Sequence, residues 1–206
     1  MSQERVEYVM RTITDQCLEN ETYFGDLDSV VGDGDFGYSL ARGFEIVRDQ
    51  WDTFDRTDAG TFLQKVAITM SGRIGGTSGP IWGTAVLRAA GVVKGKTEVT
   101  GEDVVAMLRA AIVGIQARGG AELGDKTLLD ALAPMTDTIE QQLAAGAAPD
   151  EIARAAAAAA RAAADATKDL QARRGRASYT GERSIGSVDP GATAVAVLAE
   201  KIAEGW

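Results

Sequence analysis

The sequence contains no histidine, which removes a His base, a His nucleophile and a His metal ligand from any chemistry confined to this chain. Catalysis would have to rely on carboxylates, lysine, arginine, backbone groups or metal. Cysteine occurs once, at Cys17, so no internal disulfide can form. The thiol falls on the apolar side of the first helical pattern, where core filling is its expected role. No hydrophobic stretch is long enough to span a bilayer, and the start MSQERVEYVM has no secretory h-region. The cytoplasm is therefore the expected compartment, with no membrane partner. Proline- or serine-rich linkers are missing too, so the 206 residues are expected to form a single domain, 1–206. Basic residues are in deficit: the formal net charge is -9. Without a basic face to neutralise phosphates, nucleic acid is not expected as a partner. A phosphorylated ligand would need metal or local arginines.

Hydrophobic residues make up 45% of the chain, enough to bury a real core, and their spacing is helical nearly throughout. Val6, Val9, Met10, Ile13 and Cys17 recur at three- and four-residue intervals within 2–20. Leu40, Phe44, Val47 and Trp51 do the same over 38–51, and Phe62, Val66 and Met70 over 61–71. Ser78 as a cap and Pro80 in a first turn predict a helix from near Gly79 to about Ala90. Thr100, with Glu102 and Asp103 behind it, predicts another that ends at Gly119. Further helices are expected over 128–145, from Pro149 to about Arg173, and over 192–202. The block Ala155–Ala164, broken only by Arg161, reads as close helix packing. Eight helices and no convincing strand predict an all-α fold, an up-and-down barrel or bundle of eight antiparallel helices. If neighbours alternate in direction, the loops after helices one, three, five and seven share one end and build one site.

The first of those loops lies in Gly25–Gly43, GDLDSVVGDGDFGYSLARG, which places Asp26, Asp28, Asp33 and Asp35 among five glycines before an amphipathic segment. Carboxylates this close repel unless a cation sits between them. Oxygen ligands without His or Cys favour Mg²⁺ or Ca²⁺, and glycines feeding a helix start suit a phosphate. Rival readings exist. Gly32, Gly34 and Gly37 spell a dinucleotide fingerprint, but only Val30 and Val31 stand where a strand should precede it. An EF-hand counted from Asp33 meets Phe44 where an acid belongs. An exposed acidic turn capping a helix is the bland alternative.

The second loop, SGRIGGTSGPIWG at 71–83, is an anion-binding candidate or a simple connector. In the third, GGAELGDKT nearly matches a P-loop. Asp125 intrudes before Lys126-Thr127 and no strand precedes it, so a Walker-type site is rejected. The fourth carries Arg173, Arg174, Arg176 and Arg183, placed for an acidic ligand or partner, or merely solvated.

Together, DLDSVVGDGDFG, GGTSGPIWG, RGGAELGDKTLLDAL and GRASYTGERSIGSVDPGA closely resemble the nucleotide-binding L subunit of dihydroxyacetone kinase, the DhaL or DAK2-domain family. The match spans nearly the whole chain in the same order. The resemblance implies an eight-helix barrel that holds ADP or ATP at one end through two Mg²⁺ ions. It implies that Asp28, Asp33 and Asp35 are the metal ligands. It further implies nucleotide contacts from Phe36, Gly37, Tyr38 and Ser39 at a helix start and from Thr77 and Ser78 over the phosphates. Gly119 and Leu128 would lie near the base, Arg176 would reach phosphate, and Asp189, Pro190 and Gly191 would touch the nucleotide before the last helix. Three carboxylates and about three negative charges on ADP would need two divalent cations between them.

The implied activity is phosphoryl transfer of the glycerone kinase type by a subunit that is inactive alone. The ketone would be captured by a histidine on a separate K subunit, and no residue of this chain is singled out as catalytic. A homodimer is compatible with the sequence. Position 36 departs from the pattern: relatives that use a phosphotransferase partner often carry His there, and this chain has Phe36. The phosphoryl source therefore stays open between a phosphohistidine-bearing M subunit recharging bound ADP and exchange of free ATP. The alternative function is an ADP-loaded binding module that signals to a transcription regulator.

Overall fold

The computed structural model describes residues 1–206. It is all-helical, as expected. In chain order the helices are α1 (Gln3–Glu19), α2 (Glu21–Ser29), α3 (Phe36–Asp49), α4 (Ala59–Ser71), α5 (Ser78–Val92), α6 (Gly101–Gly119), α7 (Leu129–Ala144), α8 (Pro149–Ala166) and α9 (Pro190–Glu204). Short 3₁₀ turns occupy Trp51–Thr53, Thr167–Asp169 and Arg176–Ser184. Nine α-helices thus stand where eight were expected. The extra one, α2, takes up the first half of the acidic stretch and confines the loop proper to 30–35. No helix is long and apolar enough to cross a membrane.

The chain forms two compact units that interleave in sequence, Met1–Glu19 with Ser39–Gly120, and Asn20–Tyr38 with Ala121–Trp206. In the first, α5 packs against both α4 and α6. Its core is built from Val6, Met10 and Cys17 of α1, Leu40, Phe44 and Val47 of α3, and Phe62, Val66 and Met70 of α4, the positions that the helical spacing marks. Trp51, Phe54 and Phe62 meet edge to face, a geometry aromatic quadrupoles favour. Burial pushes the Cys17 thiol well above its ordinary pKa, so it is an inert filler. Thr100 caps α6 as expected and forms a capping box with Asp103.

The second unit rests on alanine. Along α8, Ala156, Ala157, Ala160 and Ala164 are buried on one stripe, and α8 lies against α7 and α9. Those helices answer with Ala131 and Ala133, and with Ala192, Ala194 and Ala196. Small side chains on all three faces let the backbones approach closely. Arg161 interrupts the block because it reaches across to α9, where its Nε and Nη2 donate to the two carboxylate oxygens of Glu200 at 2.7 and 2.8 Å, a two-pronged ion pair. The helix ends at Ala166 instead of running to Arg173, since Thr167 turns the chain by donating its hydroxyl to Ala164 O. Replacement of the fully buried Ala160 by Leu is expected to destabilise the protein by about 1–3 kcal/mol through overpacking. Urea denaturation measures this, and a change below about 0.5 kcal/mol would contradict close packing of the alanine faces.

Candidate functional site

The acidic loop is shaped by close backbone approach. At the end of α2, the Val31 and Gly32 N–H groups both donate to Asp28 O, at 3.3 and 2.6 Å, and the chain folds back over the Asp28 side chain. A Cβ at Gly32 would stand 2.2 Å from Asp28 Oδ1, so only glycine fits. Eight residues on, the Phe36 N–H donates to Asp28 Oδ2 at 3.3 Å, which places that carboxylate at the positive end of α3. At Gly37 a Cβ would stand 1.9 Å from Glu21 O and 2.7 Å from Gly25 N. The first turn of α3 is therefore seated on the backbone of α2.

This geometry gathers three carboxylates. Oxygens of Asp28, Asp33 and Asp35 all lie within 4.8 Å of one another. Burial raises the Asp28 pKa, with the neighbouring Asp33 and Asp35 charges adding to the rise and the Phe36 and Gly34 N–H groups opposing it. Asp33 and Asp35 are exposed. Arg176 Nη1 stands 2.9 Å from Asp33 Oδ2 and brings the arginine-rich segment to the acids. Asp26, the fourth acid of the stretch, is exposed and stands outside the cluster. Phe36 packs its ring against Phe24, centroids 6.1 Å apart, and Tyr38 is exposed. A set of hard oxygen donors, partly desolvated and bent around glycine, fits a divalent cation such as Mg²⁺ or Ca²⁺.

Two other expected residues meet in the same unit. A Cβ at Gly191 would lie 3.3 Å from Leu128 Cβ and 3.1 Å from Asp189 Oδ2. Asp189 caps α9 by accepting from the Ala192 N–H at 2.7 Å, and Pro190 is buried in the first turn. Burial pushes the Asp189 carboxyl up to about 7, against the pull of the Ala192 N–H and the Lys126 ammonium and with a push from Asp130.

Ser39, Thr77, Ser78 and Gly119 belong to the other unit. Ser39 is buried, and a Cβ at Gly75 would lie 3.1 Å from its Oγ, so the glycine-rich turn runs against α3. Ser78 does not cap α5 as expected. It is the first helical residue, and Thr77 before it has helical dihedrals and makes no side-chain cap bond. Gly119 closes α6, where a Cβ would meet Ile81 Cδ1 of α5 at 3.0 Å.

The sequence presents Lys126 only within the rejected P-loop match. Its ammonium is buried and donates to the carbonyls of Leu170, Ser184 and Ser187. No donor is left for a phosphate, and the P-loop reading fails on structural grounds as well. The near match GDKT was the one available signal, and it pointed to a different chemistry.

The DAK2 domain matches residues 30–204. The ADP-binding subunit DhaL of the PEP-dependent dihydroxyacetone kinase of Escherichia coli K12 is 38% identical over 181 residues, which cover 88% of this chain and 86% of that protein. A protein of the same description from Listeria innocua, from its kinase 1, is 34% identical over 195 residues, 93% of this chain and 92% of that one. Among solved structures, the dihydroxyacetone kinase of C. freundii in complex with AMP-PNP and Mg²⁺ superposes with a TM-score of 0.74 at 25% identity. That match covers 99% of this chain and 33% of the kinase chain, so the present chain spans about a third of it. An all-helical chain with an acid cluster at a helix start is thereby placed: it belongs to the DAK2 domain family.

Gly37→Ala is expected to separate α3 from α2 and to destabilise the protein by about 1–3 kcal/mol. Denaturant unfolding measures the loss, and wild-type stability in the variant would refute the backbone contact at Glu21.

Proposed function

We propose that this chain is the nucleotide-binding subunit of a dihydroxyacetone or related ketose kinase. On this reading it holds ADP or ATP through two Mg²⁺ ions on Asp28, Asp33 and Asp35, and the terminal phosphoryl group passes to a ketone carried by a separate K subunit. The observation that carries the proposal is the trio of carboxylates within 4.8 Å of one another, with Arg176 2.9 Å from Asp33. When bound, the cations would screen the phosphates and spread charge as the phosphoryl group leaves.

The remaining work falls to the protein's own groups. Asp28 is oriented by the Phe36 N–H, so its carboxylate is fixed before any ligand arrives. Arg176 brings a planar cation to the acid cluster, suited to a phosphate oxygen. Phe36, Gly37, Tyr38 and Ser39 open α3, and Thr77 and Ser78 open α5. Both helix starts offer backbone N–H groups to anions. Leu128, which a Cβ on Gly191 would meet at 3.3 Å, is assigned with Asp189, Pro190 and Gly191 to the rest of the nucleotide, and Gly119 is assigned to the base on the family resemblance alone.

No histidine is present to capture a ketone. The isolated chain is therefore assigned no turnover of its own, and the K subunit is its obligate partner. The PEP-dependent description of the relatives favours bound ADP recharged by a phosphohistidine-bearing M subunit over exchange of free ATP. Phe36, packed against Phe24, stands where relatives that use a phosphotransferase partner often carry His, so this residue lends the M-subunit route no support. This reading puts the protein in the cytoplasm with its nucleotide supply.

Two outcomes test the proposal. Alone, the chain should not phosphorylate dihydroxyacetone, whereas adding a K subunit and a phosphoryl source should start turnover; activity of the isolated chain would overturn the division of labour. Asp33→Asn should reduce the thermal stabilisation given by ADP with Mg²⁺, because a compact hard-cation site loses one charged ligand. An unchanged ADP-induced shift in Tm would remove Asp33 from the metal site.

A further inference from the structure

Lys126 stands out on three independent counts. It is the one residue other than glycine with a left-handed backbone, at φ 62°, where the nine other positive φ values all belong to glycine. Its side chain is only 3% exposed. Its ammonium donates to three main-chain carbonyls, Leu170 O at 3.1 Å, Ser187 O at 2.6 Å and Ser184 O, which matches the three protons of the group. A backbone conformation that lysine disfavours and a desolvated charge persist together only where the surroundings overdetermine them.

The three carbonyls lie on both flanks of one segment. Leu170 precedes it, and Ser184 and Ser187 follow it. Asp125 adds a second tie on the near side: its carbonyl accepts from the Arg173 N–H at 3.0 Å and its Oδ2 from Arg174 Nε at 2.9 Å. Ser184 closes the base by accepting from the Ala172 N–H at 2.8 Å. The residues between these ties project outward, with Tyr179 88% exposed. They include Arg176, whose guanidinium meets Asp33.

We propose that Lys126 is a positioning residue for anion recognition by Arg176: by fastening both flanks of segment 170–187, it holds that arginine at the acid cluster. The proposal rests on the nucleotide-binding reading above and adds to it a residue that touches neither nucleotide nor metal. Lys126→Gly deletes the ammonium while suiting the left-handed backbone, so the chain path is preserved. A closed segment matters because a long arginine on a loose loop loses, in ordering itself, much of what its contact gains.

The experiment is a double-mutant cycle on the full chain, with calorimetric titration of ADP in Mg²⁺ and hydrogen exchange of the free protein. Lys126→Gly should weaken ADP binding by roughly tenfold. In an Arg176→Met background the same change should cost less than about twofold, since the arginine it serves is gone. Amides of 171–187 should exchange at least ~10-fold faster in Lys126→Gly, with α7 and α9 unchanged. An equal loss of affinity in both backgrounds, or unaltered affinity, would overturn the positioning role while leaving the nucleotide site intact. Wild-type protein that fails to bind ADP with Mg²⁺ would overturn the parent reading instead, and this inference with it. Should Lys126→Gly not fold, Lys126→Arg takes its place, with the charge kept and the loss in affinity expected to be smaller but still confined to the Arg176 background.

Discussion

Repulsion among Asp28, Asp33 and Asp35 is the constraint around which the second unit's site is arranged. With oxygens inside 4.8 Å, each pair costs about 1–4 kcal/mol between the limits of water and a protein surface. The fold opposes this cost locally. The Phe36 N–H and the start of α3 face Asp28, and a guanidinium faces Asp33. Two glycines, Gly32 and Gly37, permit the backbone approach that creates the crowding in the first place. That the chain carries all three, and glycines where only glycine fits, is the signature of a site in which function is set against stability.

Rigidity behind the arginine comes from a different source. The alanine faces of α7, α8 and α9 pack closely, and the Arg161–Glu200 pair ties α8 to α9. Beyond that base the chain leaves α-helix for some twenty residues and keeps only the 3₁₀ turns at Thr167–Asp169 and Arg176–Ser184. Polar ties replace apolar packing there: Thr167 receives the Asp189 N–H at 2.8 Å, Lys168 O receives the Gly186 N–H at 2.7 Å, and Lys126 holds three carbonyls. A segment stabilised by hydrogen bonds at its flanks keeps its tip polar and exposed, as a ligand-facing arginine requires.

How much of this could be read beforehand depended on whether the cause was local. Thr100 with Asp103 and Pro149 mark helix starts within a residue of where they lie, and the last helix begins at Pro190, two residues before the expected 192, because capping chemistry acts over three or four residues. Spacing singled out four acids, Asp26, Asp28, Asp33 and Asp35, and the family resemblance narrowed them to the trio that the structure gathers; the helical faces that became core were legible from their period. The short helix α2 was not. It contains Gly25 and five polar residues, Glu21, Thr22, Asp26, Asp28 and Ser29, around a single buried side chain, Phe24, so its period is weak. It is held by tertiary approach, with Gly34 O only 3.3 Å from where a Gly25 Cβ would stand. Lys126 was misleading for the same reason: its partners lie 44 to 61 residues away, and nothing in GDKT reports them. That the arginine loop would come to the acidic loop was expected from alternating helix directions as well as from family resemblance, whereas the pairing of Arg176 with Asp33 itself was not, since periodicity does not match individual residues so distant in the chain.

Charge decides how the proposed site would be filled. Three carboxylates offset by one guanidinium leave two negative charges, and ADP brings about three more. One divalent cation would still leave a local excess of about three, too much for groups held this close outside bulk water. Two reduce it to about one, within the range that helix-start N–H groups can absorb. A histidine-free chain has no imidazole to carry a proton or a phosphoryl group, so on the proposed reading its contribution would be to hold that balance. On the proposed reading the acid trio, Arg176 and the lysine that anchors its loop would act as one electrostatic unit, and the ketone chemistry would fall to a separate subunit.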